Sequence, residues 1–156
     1  MIQILADASG TAGMAGGQAL DLSAVGRNLD LEELEAMHRL KTGALIRASV
    51  LLAAACAPDL TAAEWDALDG YAQDIGLAFQ IQDDILDVEG NVEDLGKTIG
   101  ADAARSKPTY PSILGAPAAK SRARELQRRA CDRLAPFHGR AKTLAWLATY
   151  IVDRRA

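Results

Sequence analysis

The sequence predicts an all-α fold, an antiparallel bundle of helices, from three observations. Alanine and leucine, which favour helices, are the most frequent residues, and only 4% of the chain is aromatic. No stretch alternates apolar and polar residues as a strand would. Capping boxes at Asp30 and Thr61 each mark the beginning of a long helix. The 156 residues have the size of one domain, so 1–156 are predicted to form a single all-helical segment.

The first segment, residues 2–22, is open to two interpretations. Its four glycines weaken a helix, which would make the segment a loop. However, Gly10, Gly13 and Gly17 fall on one helical face. This spacing favours a helix that packs very closely against a neighbour.

The next two helices have clear boundaries. Asp30 can cap the first, with Glu33 completing the capping box, and this helix should run from about 31 to 55. Thr61 and Glu64 repeat the arrangement for a helix from about 62 to 88. At 1.5 Å per residue that helix is about 40 Å long, and it is apolar on most sides, as expected of the central helix of a bundle.

The remainder of the chain contains a long loop and two helices. Residues 90–117 are rich in glycine and proline and predict a loop, with room for short helical turns. Long loops inside compact domains are usually functional. Helices are predicted at about 117–134 and 143–153.

Composition and charge exclude several classes of protein. The net charge is −4, so no broad basic surface indicates nucleic-acid binding. A run of arginines at 122–133 has helical spacing with acids among them and is interpreted as a solvated helix face rather than a polyanion site. Cys56 and Cys131 lack the spacing of a zinc site, and Cys56 is predicted to be a small core residue. No signal peptide and no membrane-spanning run is recognised, so a reducing cytoplasm is expected.

The most informative stretch holds three carboxylates, Asp83, Asp84 and Asp87, inside an apolar helix. Such a string on its own is more often a solvated helix face, but its apolar flanks argue against that here. Burying carboxylates is costly unless a partner or a metal compensates. Asp83 and Asp87 are i,i+4 neighbours, and Gln80 shares their face. An EF-hand loop is excluded because valine stands where its turn needs glycine.

These carboxylates predict a hard cation, and Mg²⁺ fits best. It prefers oxygen ligands, keeps several waters and typically joins one or two carboxylates to a substrate phosphate. Lys41, Lys97 and Lys107 are candidate phosphate ligands, although a lone loop lysine is usually solvated. No Walker A or G-x-G-x-x-G motif indicates a nucleotide. For His38, the sequence does not decide between a core, a surface and a functional role.

Four segments resemble motifs of the trans-isoprenyl diphosphate synthase (polyprenyl synthetase) family, and within it the bacterial farnesyl diphosphate synthases. They are 13–22, which contains Gly-Gly-Gln; 38–45, which contains Lys-Thr; 76–88, which contains Phe-Gln and Asp-Asp-Ile-Leu-Asp; and 94–102 with 107–111, which resemble the family's flexible loop. The resemblance covers essentially the whole chain. It implies the isoprenoid synthase fold and the condensation of isopentenyl diphosphate with an allylic diphosphate.

The resemblance also implies roles for individual residues. Lys41 and Lys97 would bind the allylic diphosphate, and Lys107 would join them from the loop. Thr42 and Gln80 would line the reacting end of the pocket, near the developing carbocation. Of these, Lys41, Thr42, Gln80 and Lys97 are the catalytic candidates.

The metal would be Mg²⁺, and its ligands would be the three aspartates. Asp83 would bind it directly, whereas Asp84 and Asp87 would bind directly or through waters. The intact enzyme would be a homodimer without a membrane span.

The chain departs from the family pattern in two respects. The family's first aspartate-rich motif and its isopentenyl-binding residues are not found, so the chain is expected to be the C-terminal half of a synthase, whether truncated, proteolysed or given a misassigned start. Alone, it is expected to be inactive. The alternative is a non-catalytic helical partner subunit of a complete synthase. Product chain length is not readable from these residues.

Overall fold

Helices form the regular structure of the residues described in this computed structural model, which are 1–89 and 107–155. The elements are α1 (Ile2–Ser9), α2 (Met14–Ser23), α3 (Leu31–His38), a π-helix (Arg39–Gly43), α4 (Ala44–Ala54), α5 (Ala62–Glu89), α6 (Tyr110–Leu114), α7 (Ala116–Arg133), a 3₁₀ turn (Ala135–Phe137) and α8 (Lys142–Asp153). The described part of the chain contains no strand. None of its helices is long and apolar enough to cross a membrane.

Helix α5 lies at the centre, as predicted, and packs against α4, α7 and α8. Most of its residues between Ala67 and Ile85 are buried. Helix α7 is strongly polar, yet a stripe of alanines with Leu126 faces the core. Small side chains at that spacing let α7 approach α5 closely, so its arginines lie around the edge of the contact.

Both predicted capping boxes are present. The Asp30 carboxylate accepts a hydrogen bond from the backbone nitrogen of Glu33 (2.8 Å), and the Glu33 carboxylate accepts one from the Asp30 nitrogen (3.0 Å). Thr61 and Glu64 make the same exchange at the beginning of α5. The predicted helix at 31–55 is one helical run, but its middle is a π-helix that the sequence did not predict.

The first segment is neither one helix nor a loop. It forms α1 and α2 with a turn between them, and Gly10 and Gly13 lie at this turn. The predicted close packing is present at Gly17, where an added Cβ would overlap the backbone nitrogen of Lys41. Helix α2 therefore crosses the π-helix almost in backbone contact.

The predicted loop at 90–117 is only partly described, because residues 90–106 lie outside the described ranges. From 107 onward the chain forms α6 and the beginning of α7. Helices α7 and α8 agree with the predicted 117–134 and 143–153 to within one residue.

Two smaller expectations are wrong. Cys56 is exposed at the turn after α4 rather than buried in the core. The arginines of α7 are not simply a solvated face: Arg129 and Arg133 both bind the carboxylate of Asp74 on α5, which is 2% exposed. The apolar character of α5 on most of its sides gave no sign that a buried carboxylate would need these partners.

We expect Gly17→Ala to destabilise the fold and to disturb the π-helix. The new methyl group would meet backbone atoms, which cannot rotate away, so the cost should reach about 3 kcal/mol. Gly43→Ala is the matched control, because an added Cβ there meets only the His38 carbonyl oxygen at 3.5 Å. Urea unfolding measures both free energies of unfolding. Equal losses for the two variants would contradict the close crossing.

The Asp74 ion pairs predict a pH dependence of stability. Burial raises the pKa of Asp74, but the hydrogen bonds and charges of Arg129 and Arg133 outweigh burial and hold it below its usual range. This stabilisation is complete above the unfolded pKa of about 3.9 and is lost as the pH falls through the lower folded pKa.

Asp74→Asn should therefore lose about 2 kcal/mol at neutral pH, since the half-exposed arginines can turn to water, and it should flatten the acid limb of the stability curve. Asp66→Asn, at an exposed position of the same helix, should change neither. Chemical unfolding at several pH values checks this, and an unchanged acid limb in Asp74→Asn would contradict it.

Candidate functional site

Two of the predicted phosphate ligands meet at one carboxylate. The Lys41 ammonium donates to Asp21 Oδ2 at 2.6 Å, and the Lys107 ammonium donates to the same oxygen at 2.9 Å. Lys41 lies on the π-helix, Asp21 lies on α2, and Lys107 precedes α6. The fold thus brings together cations that are far apart in sequence, which spacing alone could not show.

The π-helix helps to place Lys41 and Thr42. Helices rarely adopt this form, and where they do it is frequently at functional sites. Glycines hold the segment on two sides: Gly17 of α2 abuts Lys41, and an added Cβ on Gly76 of α5 would lie 3.1 Å from the Cα of Gly43.

A chain of hydrogen bonds links Thr42 to the aspartate-rich motif. Thr42 Oγ1 donates to Gln80 Oε1 at 3.1 Å, and Gln80 Nε2 donates to Asp84 Oδ1 at 3.0 Å. The backbone nitrogen of Tyr110 donates to Asp84 Oδ2 at 3.0 Å. Asp84 is thus buried and accepts hydrogen bonds on both oxygens. It joins the beginning of α6 to the residues that the sequence singled out.

Asp83 has a different partner and is 45% exposed. Its carboxylate forms an ion pair with the Arg154 guanidinium, which also lies 4.4 Å from the centre of the Phe79 ring. Gln82 Nε2 donates to the Arg154 carbonyl oxygen at 3.1 Å. Asp83 is therefore placed to accept a cation, and an arginine occupies that role here.

His38 is buried beside Tyr110, with the two rings stacked at a centroid distance of 5.7 Å. Within the described residues, no hydrogen-bond partner reaches either ring nitrogen. Burial, reinforced by the Lys41 charge, lowers the pKa of His38 to about 4. His38 is therefore neutral near pH 7 and packs as an aromatic ring, which favours the core interpretation among those left open by the sequence.

Among the described residues, the aspartates suit Mg²⁺ only together with further ligands such as water or phosphate. Among the described residues, no group of three or more His, Cys, Asp or Glu side chains is arranged to hold a metal ion. Mg²⁺ commonly binds through one or two carboxylates and takes its other ligands from water and phosphate. Asp83 and Asp87 fit that pattern, because both lie on α5 with oxygens of the preferred kind and Asp83 already accepts a cation.

The sequence singled out most of these residues but not Asp21 and Arg154. Asp21 lies inside the Gly-Gly-Gln segment, so that motif was an available signal for it. Arg154 carried none, because two arginines near the end of the chain look like any solvated pair. Lys97, a third predicted phosphate ligand, falls outside the described residues.

Comparison with known proteins identifies the family of this chain. The sequence pattern of the Polyprenyl synthetase family matches residues 1–136, most of the chain. The chain belongs to the polyprenyl synthetase family. Among curated relatives, it is 51% identical to the farnesyl diphosphate synthase of Escherichia coli strain K12, over 99% of this chain and 52% of that protein. This polyprenyl synthetase chain spans about half the length of the curated relatives it matches.

Solved structures of relatives confirm the all-α isoprenoid synthase fold. One is a polyprenyl synthase from Caulobacter crescentus CB15, complexed with calcium and isoprenyl diphosphate, with a TM-score of 0.91 and 28% sequence identity. The match covers 99% of this chain and 59% of the Caulobacter chain. A geranyltransferase from Helicobacter pylori, complexed with magnesium and isoprenyl diphosphate, has a TM-score of 0.81 and 30% identity, with coverages of 97% and 50%.

Proposed function

We propose that this chain is the C-terminal half of a prenyltransferase that condenses isopentenyl diphosphate with an allylic diphosphate, dimethylallyl or geranyl, to give a short-chain product such as farnesyl diphosphate. The main support for the proposal is that Lys41 and Lys107 bind the same carboxylate. Thr42, the residue after Lys41, forms a hydrogen bond with Gln80. This gives a cationic end for a diphosphate and a polar end that leads to the aspartate-rich motif. The 51% identity to a farnesyl diphosphate synthase supports the same reaction.

The first chemical step in this proposal is the breaking of the allylic C–O bond. The bonding electrons leave with the diphosphate, and an allylic carbocation remains. The Lys41 and Lys107 ammonium groups donate hydrogen bonds to the departing diphosphate, whose negative charge grows as the bond breaks. We assign Lys97 to the same task.

Thr42 and Gln80 act at the carbon end. Their side-chain oxygens lie 3.1 Å apart and can turn lone pairs toward developing positive charge. The isopentenyl double bond then attacks the cation and forms the new C–C bond, and transfer of a proton to the released diphosphate restores a double bond. Apolar side chains of the bundle would line the prenyl chain and exclude the water that would otherwise trap the cation.

Asp83, Asp84 and Asp87 are the proposed ligands for Mg²⁺. Asp84 would act through waters, because its two oxygens accept hydrogen bonds from Gln80 and the Tyr110 nitrogen. When bound, Mg²⁺ would neutralise diphosphate charge as a Lewis acid. Arg154 must leave Asp83 before a metal can take its place. The homodimer and the cytoplasmic location inferred from the sequence stay predictions.

A fusion enzyme tests the proposal. The N-terminal half of the Escherichia coli farnesyl diphosphate synthase would be joined to these 156 residues in place of its own C-terminal half. With geranyl diphosphate, isopentenyl diphosphate and Mg²⁺, the fusion should form a longer prenyl diphosphate. A folded fusion that makes no product, beside an active parent enzyme, would contradict the proposed function and favour the non-catalytic partner subunit.

A further inference from the structure

Asp21 lies in this site, but the proposed reaction assigns no role to it. It is 7% exposed and is the meeting point of Lys41 and Lys107. Burial raises its pKa, but the hydrogen bonds and charges of the two lysines outweigh burial and leave it below the usual range. The carboxylate is therefore ionised at neutral pH, in the middle of a site that should attract anions.

Two ammonium groups that share one oxygen atom must lie close together, and they repel each other. Without an anion between them, two flexible lysine side chains would separate toward solvent. The backbone does not hold the ammonium groups, because each ends four methylenes from its Cα. Asp21, by contrast, has a short side chain on a helix that is fixed against the π-helix at Gly17.

We propose that Asp21 is a positioning residue that sets the ammonium groups of Lys41 and Lys107 side by side for a diphosphate. The inference rests on the proposed function. Asp21 does not touch the substrate; it acts through the lysines.

The donor count permits this role. Each ammonium group has three N–H bonds and uses one or two on Asp21, since Lys107 also approaches Oδ1 at 3.3 Å. Each therefore keeps at least one N–H for another oxygen. Neither lysine is fully buried, so the remaining donors can face a ligand. Asp21 can thus stay in place when the diphosphate binds.

The sign of one mutational effect separates positioning from competition. If Asp21 merely occupied the lysines, Asp21→Asn would remove a negative charge beside the site and a polyanion would bind more tightly. If Asp21 positions the lysines, the same variant would release them and the polyanion would bind more weakly, although the site has become more positive.

The experiment is a calorimetric titration of the 156-residue chain with inorganic pyrophosphate, without metal. We expect the Kd to rise about tenfold in Asp21→Asn, as for the loss of one well-aligned charge-assisted interaction. Asp21→Glu keeps the charge but moves the carboxylate by one methylene, so its Kd should lie between those of Asp21→Asn and the wild type. Asp74→Asn is the matched control: it also removes a buried carboxylate held by two cations, but those cations are Arg129 and Arg133, and its Kd should stay within about twofold of wild type.

The outcomes are distinguishable. Tighter or unchanged binding by Asp21→Asn would overturn the positioning role and leave the proposed function standing. If Asp21→Asn does not fold, as judged by circular dichroism, the decision passes to Asp21→Glu, and wild-type affinity there would overturn the role. A wild-type chain that does not bind pyrophosphate at all would contradict both the site and the inference.

Discussion

Replacing Asp83 with asparagine is expected to lower kcat about a thousandfold in the fusion enzyme described above. Asparagine keeps the shape of the side chain but loses the charge that Mg²⁺ needs, so a metal contribution of about 4 kcal/mol to the transition state would disappear. Stability should change by less than about 1 kcal/mol, because Asp83 is half exposed and its ion pair with Arg154 is partly solvated. Steady-state kinetics and urea unfolding measure the two effects separately.

Arg154→Gln is the matched control for Asp83→Asn. It breaks the same ion pair but leaves the carboxylate in place, so kcat should stay within about threefold of the unmutated fusion. If both variants lose activity equally, the ion pair rather than metal binding explains the role of Asp83. Near-normal turnover by Asp83→Asn would reject Asp83 as a metal ligand.

The 156 residues by themselves are expected to form no detectable prenyl product. The departing diphosphate carries several negative charges, and within this chain the proposal provides one metal site and the three lysines Lys41, Lys97 and Lys107 to balance them. Each 1.36 kcal/mol of missing stabilisation lowers the rate about tenfold, so a shortfall of several kcal/mol removes activity from ordinary assays. The chain spans about half the length of the curated relatives it matches.

The test compares three preparations in one assay: the chain alone, the separate N-terminal half of the Escherichia coli synthase, and the two mixed. Of these three preparations, only the mixture should form product. Robust product from the chain alone, abolished by Asp83→Ala, would show that the chain's own residues suffice.

Much of the fold follows from local sequence chemistry. The capping boxes fixed the beginnings of α3 and α5, because side-chain oxygens at Asp30 and Thr61 satisfy backbone donors within one helical turn. The apolar character of α5 on most of its sides predicted its central place correctly. These features depend on neighbours within a few residues, which a single sequence displays.

Features that depend on distant partners were not predictable in this way. The π-helix at Arg39–Gly43 exists between two glycine contacts, from Gly17 and Gly76, which are far away in sequence. The burial of Asp74 depends on two arginines of α7. Local pattern shows that a helix can form, but not which backbone will lie against it.

The candidate site was likewise predictable only in part. The sequence singled out Asp83 and Lys41, whereas their present partners, Arg154 and Asp21, come from other helices or the chain's last residues. Charge pairing over such separations requires the fold. The resemblance supplied the predicted roles, and the fold brings Lys41 and Lys107 to one carboxylate and Thr42 to Gln80.

We propose that the lysines and aspartates form one diphosphate–metal site. The effect of Mg²⁺ on pyrophosphate binding tests this directly. The Kd of pyrophosphate for the 156-residue chain would be measured once in chelator and once in millimolar Mg²⁺. If lysines alone bind the ligand, Mg²⁺ should weaken binding, because it neutralises the pyrophosphate. If Asp83 and Asp87 hold the metal beside the lysines, Mg²⁺ should tighten binding at least about tenfold, a coupling of about 1.4 kcal/mol, and Asp83→Asn should abolish the gain. Weaker binding in Mg²⁺, or an equal gain in Asp83→Asn, would contradict the account.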